Sequence, residues 1–389
     1  MEIGVNSIKL LKIISFWLGT LKNTNFSFSK EEQKRYIYKF PNPGNDIDRS
    51  FYQYCCQMKL KGFVESTLLN IASLPLLIWL YTKKNDELIK EKTEALFVSE
   101  GVDSFDIIPQ ELKDEFGQWK EVIVLREYFD SCDKAFFYKI LRTHPFDWHF
   151  LFKVLLKIKI YSYLIHSFSP KAIVIGAEFT FTSSILTQYC EEKEIWHINV
   201  MHGEKFFYMR DSFFRFTRAY VWDAHYIKLF KELRAYPEQF VLARPVSLCF
   251  EENQQKVYID FTYYLAAEDT KTLLKIKKLL SLMKDHSLKV AVRPHPIYSD
   301  IDYVRRIFEG IEVEDTKSMV IYESLKRTKN AIALYSTVLN QACLNGTGVV
   351  IDDISQPDFF ERLKDLDYIV LTKEHKLLSE VFSDYSILY

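Results

Sequence analysis

Short apolar runs separated by longer amphipathic segments dominate the chain from residue 95 onward. Runs 95–99, 121–125, 171–176, 195–201, 219–222 and 240–243 have the length and composition of strands. Between them, 136–168 reads as helix in two pieces broken at Pro145, and 224–233 as a further helix. Ahead of this alternation, residues 1 to about 90 read as mainly helical, with a polar loop near Asn42, Pro43, Gly44 and Asn45. A polar stretch at 251–256 marks a linker, after which the alternation resumes. It runs as strand 258–265, helix 270–284, strand 288–292, a helix around 303–308, and strands 331–334, 348–351 and 367–371. Repeated alternation predicts a parallel sheet with helices on its faces. The expectation is an α/β chain of two Rossmann-like domains facing a cleft. The first spans 1–250 and carries the helical N-terminal segment; the second spans 257–389.

Length agrees with two cores, since 389 residues exceed one ordinary domain. Hydrophobic residues at 48% and charged residues at 26% describe a globular chain, and a net charge of -1 argues against a nucleic-acid partner. Cys55, Cys56, Cys132, Cys190, Cys249 and Cys343 form no CxxC pair and no zinc spacing, so they read as reduced thiols and no metal is expected. The apolar-rich stretch 8–18 is interrupted by Lys9 and Lys12 and lacks a cleavage site, which predicts a cytoplasmic chain. Stretch 68–81 is the most apolar. It reads as too short to span a bilayer, contains Asn70 and Pro75, and is followed by Lys83 and Lys84. A buried helix is expected there; the alternative is a peripheral contact with the inner face of the membrane.

Candidate chemistry concentrates between residues 288 and 346. The run 288–292 leads into Arg293-Pro294-His295-Pro296, and the prolines predict that the strand stops and that Arg293 and His295 emerge on a stiff loop. The run 331–334 ends in Tyr335-Ser336-Thr337, followed by a helix that closes at Asn345-Gly346. A helix start favours a phosphate, and ligands of open α/β sheets sit beyond the carboxyl ends of strands. His295, Ser336 and Thr337, assisted by Arg293, are therefore expected to hold a donor phosphate, with His295 stabilising the departing charge as a cation or hydrogen-bond donor.

In the first domain, His202-Gly203 follows a strand and places His202 as a general base. Glu178 ends the preceding strand and is the acidic alternative; Glu100 sits at a similar strand end. His197 is expected to be structural. Arg210, Arg215 and Arg218 could line the same cleft or carry surface charge. The chain has no GxGxxG after a strand, no GxxxxGK[ST], no GxSxG, no HExxH and no convincing DxD element.

The succession of His202-Gly203, an aromatic-rich segment, Tyr220-Val221-Trp222-Asp223-Ala224-His225-Tyr226, a linker, RPHP and a strand ending in Ser336-Thr337 resembles bacterial GT-B glycosyltransferases of surface polysaccharide synthesis. That group holds capsule polysaccharide transferases, HP-motif sialyltransferases and CDP-glycerol glycerophosphotransferases. The resemblance covers roughly residues 170 to 355. It implies a GT-B-like fold, donor-phosphate roles for His295, Ser336 and Thr337, and a base role for His202. The acidic-acidic-Gly motif of the sialyltransferases is met here only by Ser99-Glu100-Gly101, a departure. The implied reaction is inverting, metal-independent transfer from a nucleotide-activated sugar, with CMP-linked donors among the candidates and no cofactor. The implied acceptor is an oligosaccharide or lipid-linked glycan. Polyol-phosphate transfer, or a non-catalytic subunit of an assembly complex acting through residues 1–90, are the alternatives.

Overall fold

The computed structural model describes residues 28–99, 105–123, 126–248 and 258–388. The chain groups into two units. One comprises the described parts of Met1–His202 with Phe207–Val246, and the other Gly203–Phe206 with Ser247–Tyr389. The expected division placed 203–206 in the first domain; this short segment groups with the second.

The N-terminal unit opens with α1 (Lys30–Ile37), α2 (Asp46–Lys61) and α3 (Phe63–Thr82). Ser29 and Glu32 form a capping box at α1, and Asn45 caps α2. Gly62, at φ 86°, lets the chain turn from α2 into α3. There follow β1 (Ala95–Val98), α4 (Gln110–Glu115), β2 (Trp119–Val122), α5 (Ser131–Thr143), α6 (Trp148–Phe168) and β3 (Ala172–Ile175). The unit closes with α7 (Ser183–Glu191), β4 (Trp196–Val200), β5 (Arg218–Val221), α8 (Ala224–Glu232) and β6 (Phe240–Leu242). All six strands are parallel, in the order β2-β1-β3-β4-β5-β6. Phe97, Val174, Ile198 and Val200 bury one face of this sheet against Ile108 and Leu112. The chain steps from β1 outward to β2 and then back across to β3. The topological switch point therefore lies between β1 and β3, beside the loop that carries Glu178.

Helix α6 is buried along most of its length, and the buried residues include Lys159. Lys159 is 0% exposed. Its Nζ lies 3.3 Å from the buried Glu127 carboxylate and donates to the Leu80 carbonyl at 2.8 Å, in the last turn of α3. A cation there meets the negative end of α3, and Lys83 reaches the other Glu127 oxygen at 3.1 Å. Burial pulls the Lys159 amine below the usual lysine range, and Glu127 opposes that shift. Lys159→Ala would leave the buried carboxylate undercompensated. It is expected to cost about 3–5 kcal/mol, read as a lower denaturant midpoint at an unchanged slope.

The C-terminal unit contains β7 (Ile259–Tyr264), α9 (Thr270–Asp285), β8 (Val290–Arg293), α10 (Ile301–Ile307), β9 (Glu312–Val313), α11 (Ile321–Arg327) and β10 (Thr328–Ala333). It continues through α12 (Thr337–Leu344), β11 (Gly348–Ile351), α13 (Pro357–Asp365), β12 (Lys376–Leu377) and α14 (Leu378–Asp384). Its sheet is also parallel throughout, in the order β12-β11-β10-β7-β8-β9. Phe261, Tyr263, Val292, Ile332 and Val350 form its core with Leu273, Ile276 and Leu280 of α9. Here the switch point lies between β7 and β10. Each unit is thus a parallel six-stranded sheet with interleaved helices, a Rossmann-like α/β arrangement.

Three expectations are corrected by the structure. The run 367–371 is not a strand: Asp367 takes a left-handed φ of 58°, which turns the chain into a 3-10 turn at Ile369–Thr372. Strand β8 does not stop at Val292, because Arg293 pairs in register with Tyr264 of β7. Helix α3 is longer than the stretch 68–81 and is largely unburied. Glu100, the linker at 251–256 and the stretch 8–18 lie outside the described residues.

Candidate functional site

In the C-terminal unit, three strand ends converge on the switch point. His295 follows β8, the Ala266–Glu268 turn follows β7, and Ser336 follows β10. Ser299 joins the first two loops: its Oγ accepts from the His295 N–H at 2.9 Å and donates to the Ala266 carbonyl at 3.4 Å. The Glu268 carboxylate accepts from the Ala266 N–H, and burial raises its pKa. Ser336 is the N-cap of α12, with its Oγ accepting from the Val338 N–H at 3.2 Å. That hydroxyl keeps its own proton for a ligand. Strand β7 separates β8 from β10, so the two strands stand roughly 9–10 Å apart, two strand spacings. His295 and Ser336 thus follow strands on either side of β7.

The His295 ring is fixed in one tautomer. Its Nδ1 accepts from the N–H groups of Ile297 and Tyr298, each at 3.1 Å, and its ring stacks on Tyr298 at 4.5 Å. A nitrogen facing two N–H donors holds no proton, so the proton sits on Nε2. Burial also lowers the pKa. The ring is thus a neutral imidazole with its proton on Nε2.

Arg293 is held elsewhere. It is 6% exposed, lies 3.1 Å from the buried Glu314 carboxylate and donates to the Met319 carbonyl at 2.9 Å. Its expected emergence on a loop fails because the sheet pairing extends through it, and it braces β8 from inside the unit. Thr337 Oγ1 accepts from the Glu204 N–H at 3.5 Å, so the segment Gly203–Phe206 lies against the start of α12. The Tyr335 hydroxyl holds the same segment through the Glu204 carbonyl at 3.2 Å.

In the N-terminal unit, Glu178 and His202 follow the adjacent strands β3 and β4. Asn199 of β4 organises this corner. Its Nδ2 donates to Glu178 Oε1 at 3.1 Å and its Oδ1 accepts from the Ala177 N–H at 3.0 Å. Glu178 is 1% exposed, a buried carboxylate just past the strand end. Phe179, its neighbour, meets the half-buried His202 ring edge to face at 6.4 Å. Arg210 lies 5.1 Å over the Phe179 ring and bonds Asp211 at 2.8 Å. Burial disfavours the Arg210 charge, but Asp211 outweighs it and raises the pKa. The structure thus brings His202, Glu178 and Arg210 together. Arg215 and Arg218 are bound away from this corner, to Asp46 with Glu191 and to Glu115.

Asn199 and Glu268 are not legible as site residues in the sequence. A polar residue inside the apolar run 195–201 is the available signal for Asn199; Glu268 carries none.

No protein-family model matches the chain, and no curated protein matches it. Several solved structures are similar in outline. The wall teichoic acid polymerase TagF soaked with CDPG is 9% identical, covering 83% of this chain and 87% of that chain at a TM-score of 0.45. S. aureus MnaA with UDP is 9% identical over 68% and 81%, at a TM-score of 0.41. The apo lipopolysaccharide outer core galactosyltransferase WaaB is 12% identical over 75% and 94%, at 0.37.

Proposed function

We propose that the chain is a GT-B-type glycosyltransferase that uses a nucleotide-activated sugar and needs no metal. The observation that carries this reading is the neutral His295 ring, with Nε2–H as its donor, set across the switch strand β7 from the start of α12. This arrangement suits a donor nucleotide lying over β7, its phosphate bracketed by an imidazole N–H and a helix N-terminus. In the proposed reaction, an acceptor hydroxyl forms the new bond to the anomeric carbon and the sugar–phosphate bond breaks. The phosphate leaves with the electron pair, and His202 takes the hydroxyl proton. His295 stabilises the leaving charge without giving up its proton.

Binding tests this directly. One of CMP, CDP or UDP is expected to raise the melting temperature of the native chain. His295→Ala is expected to weaken that nucleotide about ten-fold or more, the worth of one hydrogen bond to a charged group. Affinity unchanged by the substitution would overturn the assignment.

A further inference from the structure

Helix α3 has 20 residues, a mean hydropathy of 1.6 over its most apolar window, and only 22% of that window buried. Leu69, Ser73, Leu77 and Leu80 face the protein, and Ser73 Oγ bonds His149 Nδ1 at 2.9 Å. The opposite face carries Val64, Leu68, Ile71 and Ile78 at helical spacing, with Phe63 and Trp79 at its ends. Leu68 is 63% exposed, Ile71 58% and Phe63 85%. A continuous stripe of this kind on an otherwise well-buried unit calls for a partner.

We propose that this stripe rests on a phospholipid bilayer, lying in the interfacial plane rather than crossing it. Crossing is opposed by the connections of both ends. Just before α3, Gln53 and Gln57 of α2 bond the backbone of Glu178, Phe179 and Arg210. Just after it, the backbone N–H groups of Glu91 and Thr93 bond the carbonyls of Ser167 and Phe168. Both flanks are thus anchored in the same unit, which a spanning helix would have to split. The chemistry of the face favours lipid. The one charged residue of α3, Glu65, is paired with Lys61 at 3.0 Å, and the exposed Lys84 follows the helix's C-terminal end. Trp79 puts an amphipathic ring where headgroups meet acyl chains. The exposed Lys84 beside the stripe favours an anionic leaflet.

The test uses the full chain with vesicles of phosphatidylcholine, alone or mixed with phosphatidylglycerol. The wild type is expected to float with the mixed vesicles and more weakly with the neutral ones. The double variant Leu68→Ser with Ile71→Ser is expected to lose about ten-fold or more in partitioning. Its melting transition should be unchanged, because both side chains are exposed. Lys84→Glu should weaken binding to mixed vesicles only. Equal flotation of wild type and double variant would overturn the proposal and assign any binding to another segment, residues 1–27 included. A self-association removed by the double variant, with no vesicle binding by the wild type, would overturn it in favour of a second copy. Nucleotide binding plays no part in these readouts, so this inference and the transfer reading fail separately.

Discussion

A His202→Ala chain is expected to lose about 10²- to 10⁴-fold in transfer rate while keeping its nucleotide affinity. The expectation follows from position. His202 is half-buried just past β4, in the N-terminal unit, whereas the proposed nucleotide site, at His295 and Ser336, is in the C-terminal unit. A base removed from the acceptor side slows chemistry without loosening the donor. Glu178→Gln supplies the contrast. The amide keeps an oxygen for Asn199 but cannot take a proton, so the corner stays assembled. A large loss with Glu178→Gln and none with His202→Ala would move the base role to the carboxylate. Steady-state transfer and equilibrium nucleotide binding on both variants decide the matter.

A steep loss of stability in mild acid is the second large effect. His197 is 0% exposed, with its ring nitrogens bonded to the Tyr161 hydroxyl at 2.9 Å and to Thr187 Oγ1 at 2.8 Å. His149 is buried and bonded to Ser73. Burial pushes both pKa values down to about 3. In the unfolded chain each histidine titrates near 6.5. Above that pH both states are neutral and nothing is lost. As pH falls from about 6.5 towards 3, the unfolded chain takes up protons that the folded chain refuses. Each histidine then removes roughly 1.4 kcal/mol of stability per pH unit. Together they are expected to cost about 5 kcal/mol between pH 6.5 and 4.5. Urea midpoints across that range check the size, and proton uptake on unfolding at pH 5 checks the origin. An uptake well below about two protons would mean that these rings are not buried as neutral bases.

Much of the fold could be read from the sequence because its signals are local. Strand β11 occupies the expected residues, and most other strands begin or end within two residues of the apolar runs that announced them. The break at Pro145 separates α5 from α6, and Ser336 caps α12 as its position after a strand predicts. What escaped depends on partners remote in sequence. Lys159 looks like any surface lysine until Glu127 and the Leu80 carbonyl are folded around it. Arg293 looks free until Tyr264 pairs with it and Glu314 draws it inward. The proton position on His295 depends on two backbone N–H groups whose direction only the turn after Pro296 sets. Sequence placed the ring; the turn decided its chemistry.

The grouping of Gly203–Phe206 with the C-terminal unit bears on how this protein could be dissected. A cut at the linker would yield two fragments, and neither would be whole. The downstream piece would forfeit the peptide that engages Tyr335 and Thr337, exposing the head of α12. The upstream piece would carry that peptide with nothing to receive it. Because the backbone passes between units at residue 203, again at 207 and finally at 247, a swap of donor modules at one seam would sever a thread that runs through the neighbour of His202.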